Sequence, residues 1–353
     1  MTSDVRFAWR QLLKSPGFTL LAILTLAIGI GLNTAIFSLI DDLFLRGLPF
    51  QEPDRVVHMY ANAPDRGLNE IALSAPRFMH YRDGQTIFSG VAAETFTAFT
   101  LTGHGDPVQL FGGKLTSNYF DLLGVKPIRG RLFRPEEEEG ADVALVTETF
   151  WRQRLGGDPD VVGRSITLDG TPHTIVGVLP DQPGAWFGTN PRAEVWTTKP
   201  FVIPGFSHDR MMRGTGFLRV IGRLKPGTTL EQARAALPAL DRSYATTYPG
   251  NLDRTATTSI KPMPEDVTGN LRPAFATLFG AVGFVLLIAC SNVANLLLAR
   301  FSGRRRETAL RLALGASRAS VLRLFLFESL IVSGVAGIAG AALAWGLVPL
   351  IPR

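Results

Sequence analysis

Cysteine is almost missing from this chain: Cys290 is the only one among 353 residues, and it lies in an apolar run. No intramolecular disulfide is possible, which excludes a disulfide-built secreted scaffold. Catalytic patterns are missing too. His58, His80, His104, His173 and His208 are scattered without paired spacing and without H-E-x-x-H, so no zinc site is written in the sequence. No G-x-x-x-x-G-K-[ST] occurs; Gly112-Gly113-Lys114-Leu115 lacks the outer glycine and the hydroxyl residue, and the chain holds no phosphate loop of its own. G-x-S-x-G is also absent. Gly315-Ala316-Ser317-Arg318-Ala319 comes nearest, but in a basic stretch without the strand–turn–helix context a nucleophile elbow needs. The glutamates Glu136–Glu139 are consecutive, without the alternating spacing of a calcium loop, and read as a solvated loop. These absences argue against an enzyme and leave no catalytic, cofactor or metal residues to assign.

Apolar residues are plentiful instead. They make up 46% of the chain, and the mean hydropathy is +0.17, high for a protein soluble throughout. The net charge of +6 is unevenly placed. Residues 1–17 hold Arg6, Arg10 and Lys14 against Asp4, and eight arginines from Arg300 onward face only Glu307 and Glu328. The stretch between them therefore carries −2, so basic character marks membrane flanks and gives no nucleic-acid footprint.

Three apolar segments stand out, predicting transmembrane helices at 18–40, 274–299 and 324–351. The first, uncharged from Phe18 to Ile40, spans about 34 Å at a rise of about 1.5 Å per residue, enough for a bilayer core of about 30 Å. It is too long for a signal-peptide core and lacks a prompt cleavage site, so it reads as an uncleaved anchor. Ala27, Gly31 and Ala35 recur every four residues as a helix-packing stripe, as do the pairs Gly337/Ala341 and Gly340/Ala344. Asn33 is polar at membrane depth; bonding across a helix interface and simple tolerance are both open readings. Ser291 and Asn295 share one face of the second segment. The positive-inside rule puts the 1–17 segment and the basic elbow 300–323 in the cytoplasm and residues 41–273 outside.

That outer region reads as mixed α+β. Short β-like segments are expected at Arg55–Tyr60, Gly90–Leu101, Val108–Lys114, Val143–Val146, Ser165–Leu168, His173–Val178 and Phe217–Leu224. Asp169-Gly170 joins the fifth and sixth as a hairpin, with Thr171-Pro172 lengthening the loop. Helices are expected at Ala75–Asp83, Ser117–Leu123, Thr147–Leu155 and Thr229–Tyr248, the last kinked or broken at Pro238. A change of texture at about 116–200 suggests an inserted lobe within a parent lobe of about 41–115 and 201–273. The fold class is thus an α+β membrane protein: three transmembrane helices and a large mixed α+β domain with two lobes.

Specific blocks carry a family resemblance. The stretch Asn292-Val293-Ala294-Asn295 through R-R-R-E-T-A-L-R-L-A-L-G-A-S-R to Arg318 resembles the signature of MacB/FtsX-type ABC permeases. Asp4–Thr19 with A-I-G-I-G-L-N-T-A-I-F-S resembles the duplicated-permease branch known largely from acidobacteria, and Asn118–Phe133 and Ile175–Pro180 resemble that family's periplasmic core domain. The resemblance implies one helix, a two-lobed periplasmic domain and three further helices, of which this chain shows two, so it reads as truncated after the third transmembrane helix. It implies a permease subunit in the bacterial inner membrane. A separate cytoplasmic ABC ATPase would bind the ATP and dock on Arg304, Arg305, Arg306, Glu307 and Arg311, with Gly315, Ala316 and Ser317 closing the short helix. It further implies a second permease copy or half, a periplasmic adaptor or outer-membrane exit protein, and an amphiphilic substrate moved on the periplasmic side. Two alternatives stay open: an FtsX-like scaffold regulating a periplasmic cell-wall hydrolase, and an inactive fragment of a larger duplicated permease. For the arginines alone, fixing topology at anionic headgroups is the simpler role.

Overall fold

The computed structural model describes residues 10, 12–13, 15–40, 51–84, 86–103, 106–181, 193–203, 205–269, 272–303, 310, 313 and 318–347. They fall into two compact units, a helical one from 1–46 and 270–353 and a sheet domain from Gly47–Gly269.

The first long element is α1, Pro16–Ile40, which has Pro at its first helical position, where a missing N–H costs no hydrogen bond. The sheet domain follows with β1 (Val56–Ala63), β2 (Leu68–Ile71), β3 (Leu73–Ser74), α2 (Ala75–Gly84), β4 (Phe88–Thr102) and β5 (Val108–Leu115). Next come α3 (Tyr119–Leu123), β6 (Arg129–Gly130), α4 (Glu137–Gly140), β7 (Val143–Thr147), α5 (Glu148–Arg154), β8 (Ser165–Leu168), β9 (Thr171–Leu179) and β10 (Ala193–Thr197). The domain closes with α6 (His208–Met211), β11 (Gly216–Leu224), α7 (Leu230–Thr247), β12 (Thr257–Pro262) and α8 (Met263–Thr268). Two long helices come last, α9 (Arg272–Gly303) and α10 (Arg318–Leu347).

One sheet organises the domain, in the order β12-β1-β11-β4-β5-β10-β7-β9-β6. Its pairings are antiparallel except β5–β10 and β7–β9. Within 116–200, β10, β7, β9 and β6 lie together at one end of the order, while β8 bridges β4 and β9. Their core is shared: Phe99, Leu101 and Leu110 of β4 and β5 pack with Val146, Phe150, Ile166 and Val195. A second core joins Ala92, Leu115 and Ile221 to Tyr119, Val143 and Trp196. Only the third core, where α2 and α7 cover β1, β4 and β11, uses the flanking segments alone.

Local chemistry explains most element ends. Thr229 accepts from the Gln232 N–H at 3.1 Å while the Gln232 side chain accepts from the Thr229 N–H at 2.9 Å, a reciprocal cap that starts α7. The helix then continues through Pro238 as one element, so of the expected kink or break the break does not occur. Its anchoring face, with Ala233, Leu237 and Tyr244 buried in the domain, outweighs the lost hydrogen bond. The hairpin also differs from expectation. Asp169 and Gly170, both at positive φ (51° and 80°), form the entire two-residue loop, and Thr171 and Pro172 already pair with Leu168 and Thr167. Asp169 clips this turn to β4 by bonds with Thr100 in both directions.

The run Glu136–Glu139 is not a solvated loop. Glu137 is buried and takes two hydrogen bonds from Arg131, at 2.8 and 2.6 Å, and one from the Arg134 N–H. Glu138 accepts from Arg82 at 2.8 Å and from both the N–H and hydroxyl of Ser117. Glu137 therefore ties the 131–140 segment to itself, and Glu138 clasps that segment to α2 and to Ser117 just before α3.

Candidate functional site

In the helical unit, α1 and α10 meet along small residues. A side chain at Gly31 would lie 3.0 Å from the Gly340 carbonyl oxygen, and one at Gly340 would lie 2.9 Å from that of Ala27. Such closeness is what small-x-x-x-small spacing permits. Ala27 and Ala35 are buried on α1, and Val332, Ala336, Gly340 and Ala344 are buried at every fourth residue of α10. Gly337 meets nothing within 4 Å and Ala341 is exposed, so that pair lies off the seam. Leu12 clusters with Val332, and Gly31 faces Gly340 and Leu343, so α1 and α10 run parallel. α9 runs the opposite way: Asn33 donates to the Val282 carbonyl at 3.3 Å, Gly29 faces Leu286 and Ala289, and Val293 clusters with Ala22 and Leu26. Of the two readings for Asn33, the interface bond is the one realised.

α9 and α10 also extend past the expected spans, taking 300–303 and 318–323 into helix. Within the elbow, Leu310 and Ala313 are helical. Arg304, Arg305, Arg306, Glu307, Arg311, Gly315, Ala316 and Ser317 lie outside the described residues. Ser291, Asn292 and Asn295 lie on an exposed side of α9, and Glu328 on α10 is buried.

Three polar centres of the sheet domain join groups from distant parts of the sequence or hold a buried charge. In the first, Arg77 of α2 is fully buried. It pairs with Asp241 of α7 and with Asp253, donates to the carbonyls of Asp253 and Ala256, and stacks 4.3 Å from the Tyr244 ring centroid. Tyr81 donates to Asp241, while Ser74 and Tyr244 donate to Asp253. Burial pushes the Tyr244 phenol up to about 12, so it stays a donor. In the second, at the end of the domain, His58 and Tyr60 of β1 bond to Asp266 of α8 at 2.8 and 2.7 Å. Burial raises the Asp266 carboxyl, but the hydrogen bonds from His58 and Tyr60 outweigh it and hold the pKa below the usual value. This pair resembles a base with its orienting acid, yet His58 is only 3% exposed and no Ser or Cys hydroxyl or thiol bonds to it among the described residues. It fastens α8 to the sheet. In the third, the bonds from Arg131 outweigh the opposing effect of burial and hold the Glu137 carboxyl below its usual range.

None of these centres is legible in the sequence, because Arg77 and Asp241, or His58 and Asp266, are joined only by the fold. Among the described residues no three His, Cys, Asp or Glu side chains gather to hold a metal ion. An open cavity of about 210 Å³ is lined mainly by Ala61, Ala63, Ile71 and Leu252 with Arg66 and Ser74. Two of its polar side chains are engaged within the domain: Ser74 bonds to Asp253, and Arg66 to the Leu252 carbonyl.

Three helices long and apolar enough to cross a membrane, Pro16–Ser38, Ala276–Ala299 and Leu326–Gly346, with a sheet domain between the first and second, define a membrane protein with one large extramembrane domain. Residues 19–240 match the family of MacB-like periplasmic core domains, and residues 279–353 match the FtsX-like permease C-terminal family. The chain belongs to the MacB/FtsX-type permeases, a family of transporter permeases and not of catalytic enzymes. It is 28% identical over 234 residues to the macrolide export ATP-binding/permease protein MacB of Neisseria gonorrhoeae, covering 64% of this chain and 33% of that protein. To MacB of Burkholderia thailandensis it is 24% identical over 359 residues, covering 97% and 52%. The chain thus spans about a third to a half of these relatives' length. The periplasmic region of MacB from Actinobacillus actinomycetemcomitans is similar with a TM-score of 0.44 and 14% identity, over 67% of this chain and 97% of that one.

Proposed function

We propose that this chain is a permease subunit of an ABC-type export or mechanotransmission system in the inner membrane. A separate cytoplasmic ATPase hydrolyses ATP, and the periplasmic domain converts the resulting helix motion into displacement of an amphiphilic substrate. The observation that carries this reading is the helix arrangement: α10, which leaves the arginine-rich elbow, packs tightly on α1, which leads into the sheet domain. A force applied at the elbow would reach the domain through α9 directly and through α10 by way of α1. The relatives' names join ATP binding to the permease, which supports coupling of this permease to an ATPase. A second permease copy or half would cover the exposed Ser291 and Asn295 on α9, since polar side chains within a spanning helix face protein or water and not lipid. A periplasmic adaptor or exit protein would complete an export path. Charge reversal at Arg305 and Glu307 in the full chain should abolish stimulation of a co-purified ATPase; undiminished stimulation would sink the docking role.

A second reading, favoured by the FtsX-like match at 279–353, makes the chain a scaffold whose outer domain switches a cell-wall hydrolase. It predicts a stable protein partner for the domain and no ATPase response to small amphiphiles.

A further inference from the structure

A carboxyl stands in the middle of the sheet with half of its hydrogen bonding unmet. Glu94 of β4 is 0% exposed, on the face shared with Ala92 and the apolar layer around Trp196. It fits because Gly113 of β5 lies beside it; a Cβ there would be 2.5 Å from Oε1. Oε2 accepts from the Tyr119 hydroxyl of α3 at 3.4 Å, while Oε1 has no hydrogen-bond partner. Directly across on β11 stands Arg219, half-exposed. The other groups facing Glu94, Gly113 and Leu115 of β5 and Trp196 of β10, do not titrate. Lys114 points to the opposite face and bonds the Val202 carbonyl. Among the described residues, Tyr119 and Arg219 are therefore the ionisable groups that meet it. Burial pushes the Glu94 carboxyl up to about 7 against the charge of Arg219 and the Tyr119 hydrogen bond. The Tyr119 phenol, raised by burial, remains a donor throughout.

We propose that Glu94, Tyr119 and Arg219 form a proton-responsive centre, in which Glu94 is a neutral acid in an acidic medium and a carboxylate drawn against Arg219 in a neutral to alkaline one. The proton leaves to the medium, and the guanidinium keeps its charge in both states. What changes is the surface. Phe96, two residues along on the same face, is exposed and stacks on Phe111 of β5 with ring centroids 6.4 Å apart. Below the transition Arg219, which also acts on Tyr60 of β1, has a neutral group across from it on β4; above it Glu94 supplies the counter-charge.

Difference infrared spectroscopy of the full chain in nanodiscs, titrated from about pH 5 to about pH 9, reads the un-ionised acid directly. The wild type should lose a carboxylic-acid carbonyl band near neutrality, and E94Q should lack that change. R219M, which keeps Glu94, should move the midpoint up by about a pH unit or more, because the anion loses its cation. A titrating band that survives in E94Q, or a midpoint that R219M leaves in place, overturns the proposal.

Discussion

Arg77 is enclosed by carboxylates, carbonyls and a phenol ring drawn from α2, α7 and the segment after it, so its charge is fully committed. Arg77→Met would leave buried Asp241 and part-buried Asp253 without their cation. Breaking one side of such a buried pair costs about 3–5 kcal/mol, which should appear as a large fall in the denaturant midpoint of the sheet domain. A second residue-scale prediction concerns Gly113. Its Cβ in Gly113→Ala would collide with the Glu94 carboxyl, and overpacking of this kind costs about 1–3 kcal/mol. Combining Gly113→Ala with Glu94→Ala should restore much of the lost stability, since the second change vacates the space; additive losses would refute that account.

At the scale of elements, α8 is held by His58 and Tyr60 on Asp266. The folded pKa of Asp266 lies below its unfolded value, so the clasp contributes stability above the ordinary carboxylate range and loses it as the pH falls below about 4. Asp266→Asn should flatten that part of the stability–pH profile while lowering stability at neutral pH. The seam between α1 and α10 offers another test. In a Cys290→Ala chain, cysteines introduced at Ile23 and Val335, which line one shallow cleft, should cross-link. Gly340→Leu, which drives a side chain against the Ala27 carbonyl and Ile30, should suppress the link. These elements were unevenly legible in the sequence. β8 and the turn at Asp169-Gly170 can be read from the sequence, whereas β9 starts at Thr171, ahead of the expected His173, because Thr171 and Pro172 already pair with β8. β12 was missed because Ile260 is its one strongly apolar residue, and β10 because Glu194 interrupts a very short run beside a Pro/Gly-rich stretch. On α10 two overlapping small-residue spacings compete, and only contact with Gly31 selects Gly340/Ala344 over Gly337/Ala341. Long-range polar partners leave no local trace at all.

For the whole molecule, three helices of alternating direction predict the 1–17 segment and the elbow between α9 and α10 on one side of a membrane and the sheet domain on the other. Single cysteines in a Cys290→Ala chain test this: one at Glu231 on the domain should react with an impermeant maleimide in intact spheroplasts. One at Thr2 should react only after permeabilisation; the reverse pattern would invert the proposed topology. Within the domain, β4 has a consequence for how the chain can change. Its 15 residues, about 50 Å when extended, pair with β11 at one end, β5 along most of the rest and β8 near the far end. It is a common beam, and both halves of the domain are nailed to it. The 116–200 segment therefore cannot be exchanged between relatives as a cassette unless the graft also matches the buried rows of β4 and β5 that pack against it. Insertions and deletions should accordingly collect in loops at the sheet's ends, where the beam imposes no register.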